Sequence, residues 1–259
     1  MGIKSKLSKP YAKAVVKKQE HWKKEPVSAQ KATFQYLIRK GSKTQFGADH
    51  HFDQIESYED FKKQVPISDY EGLKPYVEKI ASGQKDILWP GRPKYFAKTS
   101  GTTSGAKMIP ITKESVPNHV NGAKYALLHY IAETGEASFV DGKMIFLQGS
   151  PELHNRNGIL TGRLSGIAAH FVPKYLQRNR LPSWDTNCIE DWEEKLDQII
   201  AETKDEKMSL ISGIPSWVQM YYERLLEHTG QKDIQSIFPD FSLFVYGGVN
   251  FEPYREYFR

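Results

Sequence analysis

The sequence predicts an α/β fold in which helices pack on a partly parallel sheet, and three observations carry that expectation. Two short apolar runs, 208–211 and 243–246, flank a helical stretch that Pro215 opens and Gly230 stops, which is the pattern of a βαβ unit. A second pair of apolar runs, 95–97 and 108–111, brackets a loop of Ser, Thr and Gly and reads as a hairpin. Between the N-terminus and residue 95, helical periodicity dominates.

Residues 1–24 form a basic tail, with eight lysines against Glu20 alone. That is +7 within a chain of net charge +5, so the remainder carries −2. Ile3, Leu7, Tyr11, Val15, Lys18 and Trp22 recur at near-helical spacing, interrupted by Pro10. The tail is therefore expected to be an amphipathic helix docked by its apolar stripe, with its lysines in water. An arm for a membrane surface or a nucleic acid is the alternative, and no aromatic-rich RNA signature or zinc finger accompanies it. The globular part is expected over 25–259.

Within that part, a helical pattern over 28–40 ends at Gly41, and further helices are expected over 57–64 and 70–82, the last stopped by Gly83. After the hairpin, Thr112 is a good N-cap for a helix reaching residue 133, followed by a strand over 144–147. Residues 190–203 read as a helix with Trp192, Leu196 and Ile199 inward and Glu193 and Glu194 in water. The helix after Pro215 is expected to turn Trp217, Met220, Tyr221 and Leu225 inward, and Pro253 to open a last helix.

Several chemistries are poorly supported. A single cysteine, Cys188, excludes an internal disulfide and a multi-cysteine zinc site and suits a reducing compartment. No stretch approaches the roughly 18 to 20 apolar residues of a membrane span, and the N-terminus has no uninterrupted apolar core of a signal peptide, so a cytoplasmic location is expected. The serine of Gly162-Arg-Leu-Ser-Gly166 stands one place late for a hydrolase elbow. The eight histidines show no metal-ligand spacing, His50-His51 reads as a solvated pair, and no metal ligand is assigned.

Two loops concentrate chemistry. Thr99-Ser-Gly-Thr-Thr-Ser-Gly-Ala-Lys-Met-Ile-Pro110 places Gly101 and Gly105, the hydroxyls of Ser100, Thr102, Thr103 and Ser104, and the charge of Lys107 at a hairpin tip. Glycines let a ligand approach the main chain, and successive N–H groups and hydroxyls then face anionic oxygens, as in a polyphosphate cradle. A lysine about 4 Å from a unit negative charge contributes roughly 4 kcal/mol in a half-buried site and about 1 in open water. Three residues separate the glycines and Met108 follows Lys107, so this is no Walker A loop; a solvated turn is the other reading. The second loop, Gly247-Gly248-Val249-Asn250, follows a strand whose carboxyl end is where parallel sheets bind ligands.

The run Pro66-Ile-Ser-Asp-Tyr-Glu-Gly-Leu-Lys-Pro-Tyr-Val77, through Ile80-Ala-Ser-Gly83 and Phe96-Ala-Lys-Thr-Ser-Gly-Thr-Thr-Ser-Gly105, resembles the acyl-acid-amido synthetases of the auxin-responsive Gretchen Hagen 3 family, its bacterial branch most closely. The likeness continues through Gly158-Ile-Leu-Thr-Gly-Arg-Leu-Ser-Gly166, Ser212-Gly-Ile-Pro-Ser-Trp217 and Tyr246-Gly-Gly-Val-Asn-Phe-Glu-Pro253. It implies the N-terminal part of an adenylate-forming, luciferase-like domain. A carboxylic acid is adenylated by ATP with Mg²⁺, and an amino acid then displaces AMP. The resemblance assigns Ser100, Gly101, Thr102, Thr103, Ser104, Gly105 and Lys107 to the phosphates, with Thr103 and Lys107 catalytic. Tyr246, Gly247, Gly248 and Val249 fall to adenosine, and Ile159 and Leu160, in a loop starting at Gly158, with Tyr125 and His129, to the acid.

The family pattern continues beyond Arg259 with a ribose clamp, a Tyr-x-Ala/Ser-Ser-Glu segment and a mobile C-terminal domain. The chain is accordingly expected to be a truncated portion with little complete turnover alone. Transfer of the acyl group to coenzyme A or another thiol, and nucleotide binding without catalysis, are the remaining readings. Neither a nucleic-acid partner nor a membrane span is expected.

Overall fold

The computed structural model describes residues 2–99, 106–172 and 177–258. Its elements begin with α1 (Ile3–Lys24), α2 (Pro26–Gly41), α3 (Gln45–Asp49), α4 (Tyr58–Gln64), α5 (Tyr70–Ala81), β1 (Tyr95–Lys98) and β2 (Met108–Ile111). Helix α6 (Val116–Thr134) leads to β3 (Lys143–Phe146), β4 (His154–Arg156), β5 (Ile159–Arg163) and α7 (Leu164–Ala169). Then come β6 (Arg180–Leu181), α8 (Trp184–Cys188), α9 (Trp192–Thr203), β7 (Met208–Gly213), α10 (Pro215–Thr229), α11 (Ile234–Ile237) and β8 (Leu243–Tyr246). The chain divides into two compact units, one built from 1–16, 124–152 and 168–259, the other from 17–123 and 153–167.

The unit containing 17–123 holds a mixed sheet of order β2-β1-β5-β4. Strand β1 runs antiparallel to β2 and parallel to β5, and β5 runs antiparallel to β4. Helix α5 covers it because Val77, Ile80 and Ala81 share one face and bury against Ile87, Phe96 and Ile159. Its ends follow local chemistry: the Asp69 carboxylate accepts from Gly72 N–H, and Gly83 takes φ +99 just beyond the last turn. A reciprocal Ser57/Asp60 capping box opens α4. His50, expected as merely solvated, is half-buried, with Nδ1 3.0 Å from the Gln64 carbonyl.

Two expectations are corrected in this unit. The helix expected from Thr112 begins at Val116, because Thr112 and Ser115 trade hydroxyl and N–H contacts at 2.9 and 3.1 Å in a turn of their own. The segment starting at Gly158, expected as a loop, is strand β5. Asn157 and Gly158, at φ 51 and 82, form the tight turn that joins it to β4.

The other unit holds an all-parallel sheet of order β6-β3-β7-β8. Both faces are covered, which is why four successive residues of β7, Met208 to Ile211, are all buried. On one face lie Leu196, Ile199 and Ile200 of α9 and Val218, Tyr221, Tyr222 and Leu225 of α10. On the other, Leu128 and Ile131 of α6 meet Met144, Leu210 and Ala12. Helix α10 starts at Pro215 and ends against Gly230 at φ +66, as expected, but Met220 faces outward and Val218 takes the inward place. The expected last helix after Pro253 is a single 3₁₀ turn, Glu252–Tyr254.

The tail is a helix, α1, but its inward face differs from the expected one. Ile3, Leu7 and Tyr11 are 79, 66 and 49% exposed, whereas Ser5 and Ala12 are completely buried. Small side chains let the helix backbone come close to its neighbours, and Asp141 closes its N-terminus by accepting from Gly2 N–H at 2.6 Å and Ser5 N–H at 3.2 Å. Burial alone pushes the Asp141 carboxyl up, yet hydrogen bonds from Ser5 and Gly2 hold it below its ordinary value.

Candidate functional site

The hairpin is present as expected, with Tyr95 opposite Ile111 and Lys98 opposite Met108. Ser100, Gly101, Thr102, Thr103, Ser104 and Gly105 lie outside the described residues, while the two stems of their loop are defined. Thr99 N–H donates to the Lys107 carbonyl at 3.0 Å, and Lys107 N–H donates to Thr99 Oγ1 at 3.1 Å, so paired hydrogen bonds close the loop at its base.

A residue that the motif does not contain holds this base in place. The Tyr70 hydroxyl, at the first turn of α5, accepts from Met108 N–H at 2.9 Å. The Lys107 ammonium stands 5.5 Å from the centre of the Tyr70 ring, a cation–π contact that orients the charge without neutralising it. Lys98 and Arg163 add charge at the same edge: β1 and β5 are parallel, Lys98 is in register with Arg163, and both are exposed at the carboxyl ends of their strands. Three cations therefore gather at the stems of a loop rich in hydroxyls and N–H donors, an arrangement that attracts a polyanion.

The turn after β8 meets its expectation at the backbone. Strand β8 pairs in parallel with β7, Gly213 opposite Tyr246, so Gly247 and Gly248 lie beyond the carboxyl ends of two parallel strands. Gly248 takes φ +87, and nothing stands within 4 Å of the place a side chain would occupy on Gly247. Tyr246 is half-exposed and stacked on Phe251 with ring centres 4.3 Å apart, which keeps its ring fixed. Val249 is 45% exposed. Beside this turn α10 begins after Ile214, which offers no capping side chain; Pro215 brings no N–H and Trp217 N–H donates to the Ile214 carbonyl at 2.9 Å, which leaves the Ser216 N–H and the positive end of the dipole at this end of the helix.

The residues expected to line an acid pocket separate by burial. Ile159 is wholly buried among Val77, Ile80 and Phe96 and exposes no surface to a ligand. Leu160, Tyr125 and His129 are half-buried, the last two one turn apart on α6. Among the described residues no group of His, Cys, Asp and Glu could hold a metal ion, and no helix is long and apolar enough to cross a membrane. The Cys188 thiol is pushed up by burial and by Glu152 and Asp185, which disfavours its thiolate.

Residues 15–186 match the model of the GH3 family N-terminal domain. The chain is 29% identical over 161 residues to indole-3-acetic acid-amido synthetase GH3.15 of Arabidopsis thaliana, covering 61% of this chain and 26% of that protein. It is 32% identical over 160 residues to 4-substituted benzoates-glutamate ligase GH3.12 of the same plant, covering 61% and 27%. The solved structure of the GH3.15 acyl acid amido synthetase in complex with 2,4-DB shares the fold, with TM-score 0.58 at 17% identity over 77% of this chain and 37% of that one. The chain thus spans about a quarter of the length of these curated relatives. With a family match across well over half its length, falling on the β1–β2 hairpin and the helices around it, the chain belongs to the GH3 family.

Proposed function

We propose that this chain carries the ATP-binding part of an acyl-acid amido synthetase, in which an acid carboxylate attacks the α-phosphorus of ATP, pyrophosphate leaves, and an amino acid then displaces AMP. The observation that carries the reading is the charged, closed base of the hairpin loop, with Lys107 held on Tyr70 and Lys98 and Arg163 in register beside it. Negative charge grows on the departing pyrophosphate, and donors fixed before the reaction stabilise it without reorganising. In this reading Lys107 and Thr103 act at the reacting phosphates. Ser100, Gly101, Thr102, Ser104 and Gly105 supply N–H and hydroxyl donors around them.

Tyr246, Gly247, Gly248 and Val249 take adenosine, for which the open backbone at Gly247 and the fixed Tyr246 ring give a flat surface. The acid-binding role falls to Leu160, Tyr125 and His129, which retain surface for it, while Ile159 stays in the core behind them. Mg²⁺ would accompany ATP as a neutralising ion. Placement in the bacterial branch of the family and a cytoplasmic, reducing location belong to the same reading, the first on sequence resemblance and the second on the single cysteine, Cys188.

The test is ATP–pyrophosphate exchange with an acid panel that includes indole-3-acetate and 4-substituted benzoates, run beside equilibrium ATP binding. Exchange that depends on one of these acids is expected. Lys107→Ala is expected to lower it about 10²-fold, the range for loss of a preorganised electrostatic donor. ATP binding with no exchange for any acid would leave a nucleotide-binding protein, and an unchanged rate in Lys107→Ala would remove that lysine from the site.

A further inference from the structure

We propose that α1 is an interfacial helix that lays its outer face on an anionic lipid surface. Ile3, Leu7 and Tyr11 stand at i, i+4 and i+8, so they form one stripe, and all three are exposed. The buried residues Ser5 and Ala12 lie about 150° around the helix from that stripe at 100° per residue, so α1 is already seated by its other side. Val15 joins that seat against the cluster of Leu128, Ile131 and Phe139. Docking on the body of its own unit therefore leaves the stripe in water.

The surroundings of the stripe select the occupant. Lys6, Lys13 and Lys17 follow one edge, Lys4 and Lys18 stand two turns either side of Tyr11, and all five are exposed. Lys124 adds a cation 5.6 Å from the Tyr11 ring. No acidic residue precedes Glu20. An apolar strip within a field of lysines matches a bilayer whose headgroups are negative and whose acyl region accepts Ile3, Leu7 and the Tyr11 ring. A nucleic acid would use the lysines and leave the aliphatic side chains in water, and an acidic protein surface would offer them no depth.

The test is sedimentation of the purified chain with vesicles of phosphatidylcholine alone and with about one third phosphatidylserine, at low and at physiological salt. Partition is expected to rise at least roughly tenfold with the anionic lipid and to fall with salt. Ile3→Glu/Leu7→Glu, both on exposed positions, is expected to lose roughly tenfold at constant salt, and Lys6→Glu/Lys13→Glu to abolish the preference for anionic vesicles. Circular dichroism controls for folding of each variant. Equal partition in both vesicle types, or no loss in the Ile3/Leu7 variant, overturns the proposal. So does binding to duplex DNA that survives the Ile3/Leu7 substitutions, or a dimer that those substitutions convert to monomer.

Discussion

At the scale of single residues, hydrogen bonding and burial decide which side chains matter. Tyr221 and Tyr222 are neighbours in α10, both buried, and burial raises both hydroxyl pKa values. Their hydroxyls differ: Tyr221 shares a 2.8 Å hydrogen bond with Thr203, while the Tyr222 hydroxyl is buried with no partner. Tyr221→Phe is expected to destabilise by about 1 kcal/mol, and Tyr222→Phe to be neutral or stabilising, in urea unfolding. Tyr70→Phe removes the acceptor for Met108 N–H and is expected to cost about 1 kcal/mol, with ATP affinity falling in parallel as the loop stem loosens. Nothing in the sequence around Tyr70 points to Met108; the pairing spans 38 residues and exists only after α5 has settled on the sheet. The cluster of Lys98 with Arg163 is equally tertiary, arising from the parallel register of two strands far apart in the chain.

Elements were legible where they announce their own ends. Asp69, Gly83, Pro215 and Gly230 mark helix limits, and the Ser57/Asp60 capping box marks another, because caps satisfy the orphan groups of the local backbone. The tight turn at Asn157-Gly158 is local too, yet a loop was expected from Gly158 and the β4–β5 hairpin was missed. The facing of α1 was not legible, since ranking by hydrophobicity favours Ile3 and Leu7, whereas close approach favours Ser5 and Ala12. Asp141 fastens this helix, and the sign of its pH dependence follows. Its folded pKa is depressed, so its contribution is present above the ordinary carboxylate value of about 3.8 and is lost as pH falls through the folded value. Amide exchange over residues 3–9 is expected to be unchanged between neutral pH and about pH 5, and to accelerate, relative to the intrinsic rate, below about pH 4. Asp141→Asn is expected to show that acceleration already at neutral pH.

For the molecule as a whole, the α/β class was legible from the βαβ pattern, but its division into two sheets was not, because strand partners such as β1 and β5 are set by non-local pairing. Ligand linkage gives an expectation at this scale. If ATP binds only the folded chain, a concentration 100-fold above Kd adds about 2.7 kcal/mol and raises Tm by roughly 5 to 10 °C for a chain of this size. Thermal melts with ATP, and with a nucleoside lacking phosphates as control, measure it. A shift of equal size with adenosine would locate the affinity in the base and sugar rather than at the loop.

Ala12 finds its partners in residues such as Leu128, Met144 and Leu210, which emerge from the ribosome much later. At a synthesis rate of about 5 to 20 residues per second, the interval between Ala12 and Leu210 is roughly 10 to 40 s. Throughout that time α1 must wait with both of its faces unclaimed. Nascent chains are thus open to capture by chaperones along this helix, well before the unit that will enclose Ala12 exists.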